Sequence, residues 1–261
     1  MWSLVVQNFR HVLRTRLLLF LLIFSFLIQY VGVKALHSVT INYQGIISKF
    51  DDKDSLFVAL LFQIFTGGFL SAAYGIWIIP YAHQGLRSPL TFSLPISKWL
   101  FPVSYALSVL ALLLMQHGIL LTCYGINFGW GVIFSAKFPW SGFLLGVGLE
   151  SLAFLACTFG FATAAMALGQ VPAFFLGATV LFLLQVMGAI FRLDLPSLAN
   201  AQRIYEFLPP VGELVYDLRF GYTKLQWDGG HLLLWAIWLG VFVLLFRYQL
   251  RYPAKVRGGE S

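Results

Sequence analysis

Glu150 is the residue whose position poses a chemical question. It is the only charged residue in the apolar run 141–168. It lies nine residues past Ser141, about 14 Å along a helix at ~1.5 Å per residue. That is near the middle of a hydrocarbon core about 30 Å thick. A carboxylate at such depth costs a few kcal/mol unless it is paired, protonated or in water. Two readings follow. Glu150 is either a polar point on a substrate path or helix seam, or a protonated carboxyl bonded to Gln116, His117 or Gln185 on a neighbouring run. Gly146 and Ala153 lie four residues before it and three after, so they share its helix face. Small residues let another helix come close, which aims Glu150 into a bundle and not into lipid. The candidate site residues are therefore Glu150, Gly146, His117 and Gln63.

Other chemistry is missing. No G-x-x-x-x-G-K-[ST] cradles phosphates, no H-E-x-x-H holds zinc on a helix, and no G-x-S-x-G presents a nucleophile. The histidines at 11, 37, 83, 117 and 231 are scattered and read as having no carboxylate paired at helical spacing. The cysteines, Cys123 and Cys157, lack companions for a metal site; a disulfide between them stays open. These absences argue against an enzyme with its own catalytic site, and against a metal or cofactor held by this chain.

Composition says what must position these residues. Of the 261 residues 59% are hydrophobic and 10% charged, far from a soluble domain. The net charge of +7 does not describe a nucleic-acid patch, because the basic residues cluster at the ends of apolar runs. The fold class expected is an all-α membrane protein with six transmembrane helices, at 17–33, 56–79, 100–124, 141–168, 173–191 and 231–246. Residues 1–261 form one transmembrane domain.

Residues 1–16 read as an amphipathic elbow helix in the membrane interface, with Val5, Phe9, Val12 and Leu13 on one face and a basic flank. The first run is longer than a signal-peptide core, so it reads as an uncleaved span. Residues 34–54 read as a polar loop. In the second run Gly67-Gly68 marks either a close helix approach or a kink. Residues 192–230 form a long polar connection. Ile204, Phe207 and Leu208, then Val211, Leu214, Val215 and Leu218, are spaced for two short amphipathic helices broken by Pro209-Pro210. The 17% aromatic content suits interfacial packing, or a path for a lipid-like substrate.

Between the second and third runs lies the proline-bracketed loop 83–99. Its Gly85-Leu86-Arg87, then Leu90-Thr91-Phe92-Ser93-Leu94-Pro95-Ile96-Ser97-Lys98, resembles the first cytoplasmic loop of type-2 ABC transporter permeases. That family carries a pattern close to G-T-L-x-x-L-L-S-L-P-I-S-R there, as a coupling helix that docks into an ATPase subunit. His83 and Gln84 stand where the family has acidic residues.

The resemblance implies an ATPase-coupling role for Arg87 and for Leu90, Thr91, Phe92, Ser93, Leu94, Pro95, Ile96, Ser97 and Lys98. It implies two ATPase chains as partners, which bind the ATP and magnesium. It further implies a second permease copy or a paralogue, and a bacterial cytoplasmic membrane with both termini inside. Membrane lipid and an extracytoplasmic partner complete the partners expected; nucleic acid is not among them. The activity implied is ATP-driven export or mechanical work across the membrane. The rival reading is a non-transporting polytopic scaffold for an envelope assembly, which has no need of a short proline-bracketed helix in that loop.

Overall fold

A computed structural model of the chain describes residues 16–38, 40–43, 46–49, 52–80, 99–135, 138–192, 199–224 and 228–251. The elbow expected over residues 1–16, apart from Arg16, which begins the first described helix, and the loop residues 81–98, which include every proposed ATPase-coupling position, lie outside the described residues. Apart from one hairpin, the described regular structure is helical. Long apolar runs have little alternative in a bilayer, where each backbone N–H and C=O must be satisfied within its own segment.

Helix α1 is Arg16–Ser38, followed by the antiparallel hairpin β1 (Thr40–Tyr43) and β2 (Ile46–Lys49), with Thr40 opposite Lys49. The connection read as a plain polar loop is thus partly a two-stranded ribbon. Its residues Thr-Ile-Asn-Tyr and Ile-Ile-Ser-Lys include the β-branched types that suit strands. Helix α2, Asp52–Ala73, runs on into a π-helical turn at Tyr74–Ile78.

After the loop come α3 (Leu100–Phe128), the single turn α4 (Trp130–Ile133), α5 (Trp140–Leu168) and α6 (Gln170–Phe191). Pro102 and Pro172 fall in the first turns of α3 and α6, where a missing N–H breaks no intrahelical bond. Only Gly169, at φ 94°, separates α5 from α6, in a conformation that favours glycine. The short α7 (Ala199–Tyr205) and α8 (Val211–Lys224) flank Pro209-Pro210, and α9 (Gly229–Arg251) closes the bundle.

Four helical stretches are long and apolar enough to cross a membrane: Leu100–Phe128, Trp140–Leu168, Gln170–Phe191 and Gly229–Leu250. Leu19–Lys34 and Phe62–Ile78 are shorter apolar stretches within α1 and α2. Large apolar side chains such as Phe20, Leu27, Phe175, Phe182 and Leu244 are exposed on the surface of the bundle, as lipid-facing positions require. Helix α5 is the central post, buried against α2, α6, α8 and α9.

The Gly67-Gly68 pair resolves as a close approach. A Cβ on Gly67 would collide with the Phe154 ring of α5, while Gly68 faces open space. Two residues past the end of α2 proper, Gly75 brings backbone against backbone. A Cβ there would strike the Thr158 carbonyl oxygen and lie 2.8 Å from Phe161 Cβ. The π-turn therefore seats against α5 only because residue 75 has no side chain. Gly75→Val is expected to destabilise the fold by about 2 kcal/mol, as overpacked cores do. Thermal unfolding of the detergent-purified protein measures this, and an unchanged melting temperature would contradict the close seating.

Candidate functional site: a polar layer inside the bundle

Seven polar side chains from four helices are buried in the apolar interior, as a linked set of five on α1, α2 and α3 and the separate pair His117–Glu150. Helix α1 supplies Ser25 and Gln29, α2 Gln63 and Thr66, α3 Gln116 and His117, and α5 Glu150; all are buried. Ser25 and Gln29 are four residues apart and Gln63 and Thr66 three, so each pair shares a helix face. The amide nitrogen of Gln29 donates to the Gln63 side-chain oxygen, and lies 3.4 Å from Thr66 Oγ1 and 3.4 Å from Ser25 Oγ. Gln116 Nε2 donates to Ser25 Oγ at 3.3 Å, which ties α3 to α1.

The firmest contacts belong to His117. Its Nδ1 is 2.7 Å from the Leu113 carbonyl and its Nε2 is 2.8 Å from Glu150 Oε2. A carbonyl oxygen only accepts, so Nδ1 carries a hydrogen and donates it. Nε2 and Oε2 then share one further proton, whichever atom it rests on, and the pair as a whole is neutral. Such neutrality is what a membrane interior demands of two ionisable groups. The ring edge is also covered by Phe143 in a T-shaped contact at 6.3 Å. Glu150 Oε1, Gln116 Oε1, Gln29 Oε1 and Gln63 Nε2 have no hydrogen-bond partner among the described residues. Unmet polar atoms in a low-dielectric interior are expensive, so these groups cost stability.

Of the three partners considered for Glu150, His117 is the one that bonds it. Gln116 turns to Ser25 instead, and Gln185 is exposed on α6. Gln63 lies in the layer, but its link is to Gln29, and Gly146 is buried one turn before Glu150 on α5. Sequence reasoning missed Ser25, Gln29 and Thr66. The spacing of Ser25 and Gln29 within the first apolar run was the available signal.

Two of the histidines bond carboxylates that are far from helical spacing in the sequence. Besides His117, His231 Nδ1 lies 2.9 and 3.0 Å from the two oxygens of Asp217 and 3.8 Å from Asp228. This pair fastens α8 to the start of α9. A second clamp fastens α8 to the end of α6. Arg192 Nη2 donates to Glu213 at 2.9 Å and also to the Gly212 carbonyl, and its guanidinium stacks 3.2 Å over the Tyr216 ring. Leu214 and Leu218 are buried as their spacing suggested, whereas Ile204 and Phe207 are exposed. The clamps hold α8 on the bundle, while α7 packs there through Tyr205, whose ring is buried against Phe191.

Cys123 and Cys157 are both free thiols. Between α5, α6, α8 and α9 lies an apolar cavity of about 220 Å³, lined by residues such as Gly160, Ala164, Gly177 and Phe242. Among the described residues no cluster of His, Cys, Asp and Glu could hold a metal ion. Compared with family models, with curated proteins and with solved structures, the chain finds no match in any of the three.

Proposed function

We propose that the chain is the membrane-spanning permease subunit of an ATP-driven ABC transporter. In this reading it turns ATP hydrolysis on separate ATPase chains into export or mechanical work. The observation that carries it is the run Ser93-Leu94-Pro95-Ile96-Ser97-Lys98, set between α2 and α3, the position of the coupling loop in that family. Six spans follow if α1 and α2 cross the bilayer together with the four longer helices. An even number of crossings puts both termini on one side, and the basic residues near both ends favour the cytoplasm for that side. Glu150 and its layer then lie near mid-membrane, among the helices that an ATPase stroke would shift.

Orientation tests this reading, because an ATPase meets only loops that face the cytoplasm. In a variant lacking Cys123 and Cys157, a thiol probe that cannot cross membranes should label cysteines placed at Glu206 or Asp228, both exposed, in intact cells. Cysteines placed at Ser93 or Lys255 should react only after permeabilisation. Labelling of Ser93 from outside would end the coupling argument.

A further inference from the structure

The apolar cavity bounded by α5, α6, α8 and α9 is a slot over a run of small side chains. Cys157, Gly160 and Ala164 of α5 form its floor, spaced three and four residues apart and so on one helix face. Helices α6 and α9 both pack on α5, but among the described residues they have little contact with each other. The slot is the gap between them, and Pro209 and Val211, where α8 begins, close one end.

Close contacts fix the walls. The Phe161 ring lies where a Cβ on Gly177 would fall, which sets α6 on α5. A Cβ on Gly188 would lie 2.8 Å from the Gly212 Cα, so α8 meets α6 backbone to backbone just past Leu184. Gln249 Nε2 donates to the Thr163 carbonyl at 3.0 Å and ties α9 to α5.

Volume, shape and mouth together say what fills such a slot. At about 220 Å³ it exceeds the ~150 Å³ apolar cavity that already takes up a benzene-sized hydrocarbon. A void of this size forfeits packing contacts for every side chain that lines it. On α6 the lining runs from Leu176 to Leu184, eight helical steps, about 12 Å at ~1.5 Å per step. On α9 it runs from Trp235 to Phe242, so the slot is elongated along the helix axes, the direction of acyl chains in a bilayer. Its mouth is on the lipid side. Leu176 and Val180 line the slot and are 48% and 44% exposed on α6, a helix long and apolar enough to cross a membrane.

We propose that the slot binds one acyl chain of a membrane phospholipid, which enters sideways from the bilayer between α6 and α9. A chain gains no shelter from water by entering, because lipid tails are already apolar. It gains contact on several sides at once, where the outer surface of α6 offers contact on one. The inference stands apart from the permease reading, since it needs only that α6 and α9 cross a bilayer.

The test is photo-crosslinking of the purified chain in nanodiscs of phosphatidylcholine with a diazirine midway along one acyl chain. Illumination, digestion and mass spectrometry then locate the adducts. They are expected at Cys157 and Phe161 inside the slot, and also at Phe175 and Phe182, which are exposed on α6. Ala164→Phe should fill the slot and lose the Cys157 and Phe161 adducts, while those at Phe175 and Phe182 stay. Gly160→Leu is the second filling variant, should Ala164→Phe fail to fold. Wild-type protein without adducts in the slot, or a folded filling variant that keeps them, would overturn the site. Slot adducts from a free fatty acid with the same label, but none from the phospholipid, would overturn it too.

Discussion

His117→Leu should destabilise the bundle by about 2–4 kcal/mol, while the double variant His117→Leu/Glu150→Leu should recover most of that loss. The single change removes the one hydrogen-bond partner that Glu150 has among the described residues and leaves both carboxyl oxygens unmet in the core. Leaving one member of a buried polar pair behind costs far more than the pair itself contributed. Removing both members replaces two polar groups by apolar ones of similar size, which is often nearly neutral. The Leu113 carbonyl loses its second bond in either case but keeps its place in the helix ladder, so that term is common to both. Unfolding of the three proteins in matched detergent measures the cycle. If His117→Leu is as stable as wild type, or the double variant is as poor as the sum of its parts, the pair is not the buried unit described above.

Phe92→Asp and Leu94→Asp should abolish recovery of an ATPase with the tagged chain, while the chain itself stays in the membrane at normal level. If the loop seats an apolar helix turn in a partner's groove, a carboxylate there must be desolvated without a counter-charge. Burying such a charge costs several kcal/mol, which turns tight binding into none. Ser97→Ala, a smaller change in the same run, should keep the complex and separates loss of docking from loss of loop shape. Wild-type recovery of an ATPase with both aspartate variants would sink the permease reading. An ATPase absent even from the wild-type preparation would favour the scaffold.

The apolar helices were legible in the sequence, and for a simple reason. A run of about twenty apolar residues in a bilayer satisfies its backbone best as a helix, whatever surrounds it. The six runs accordingly coincide with α1, α2 with its π-turn, α3, α5, α6 and α9, and Pro209-Pro210 does separate α7 from α8. Glu150 was legible too, as a carboxyl that needed a partner, and the small residues around it told which way it faced.

Which partner it found depended on how the helices turn about their own axes. Gln116 and His117 are neighbours in sequence but point about 100° apart on the helix. That difference sends Gln116 to Ser25 on α1 and His117 to Glu150 on α5. Ser25 and Thr66 look unremarkable in isolation, because a lone small polar residue in a span can bond its own backbone, as Thr66 does to the Phe62 carbonyl. The hairpin at 40–49 and the Asp217–His231 pair likewise rest on contacts between residues whose types alone single out no partner. Sequence determined the spans and the need for a partner, since both follow from transfer of single side chains and segments out of water. The polar layer itself was decided by tertiary packing, since hydrogen bonds between helices require a rotation and a depth for each that no one helix specifies.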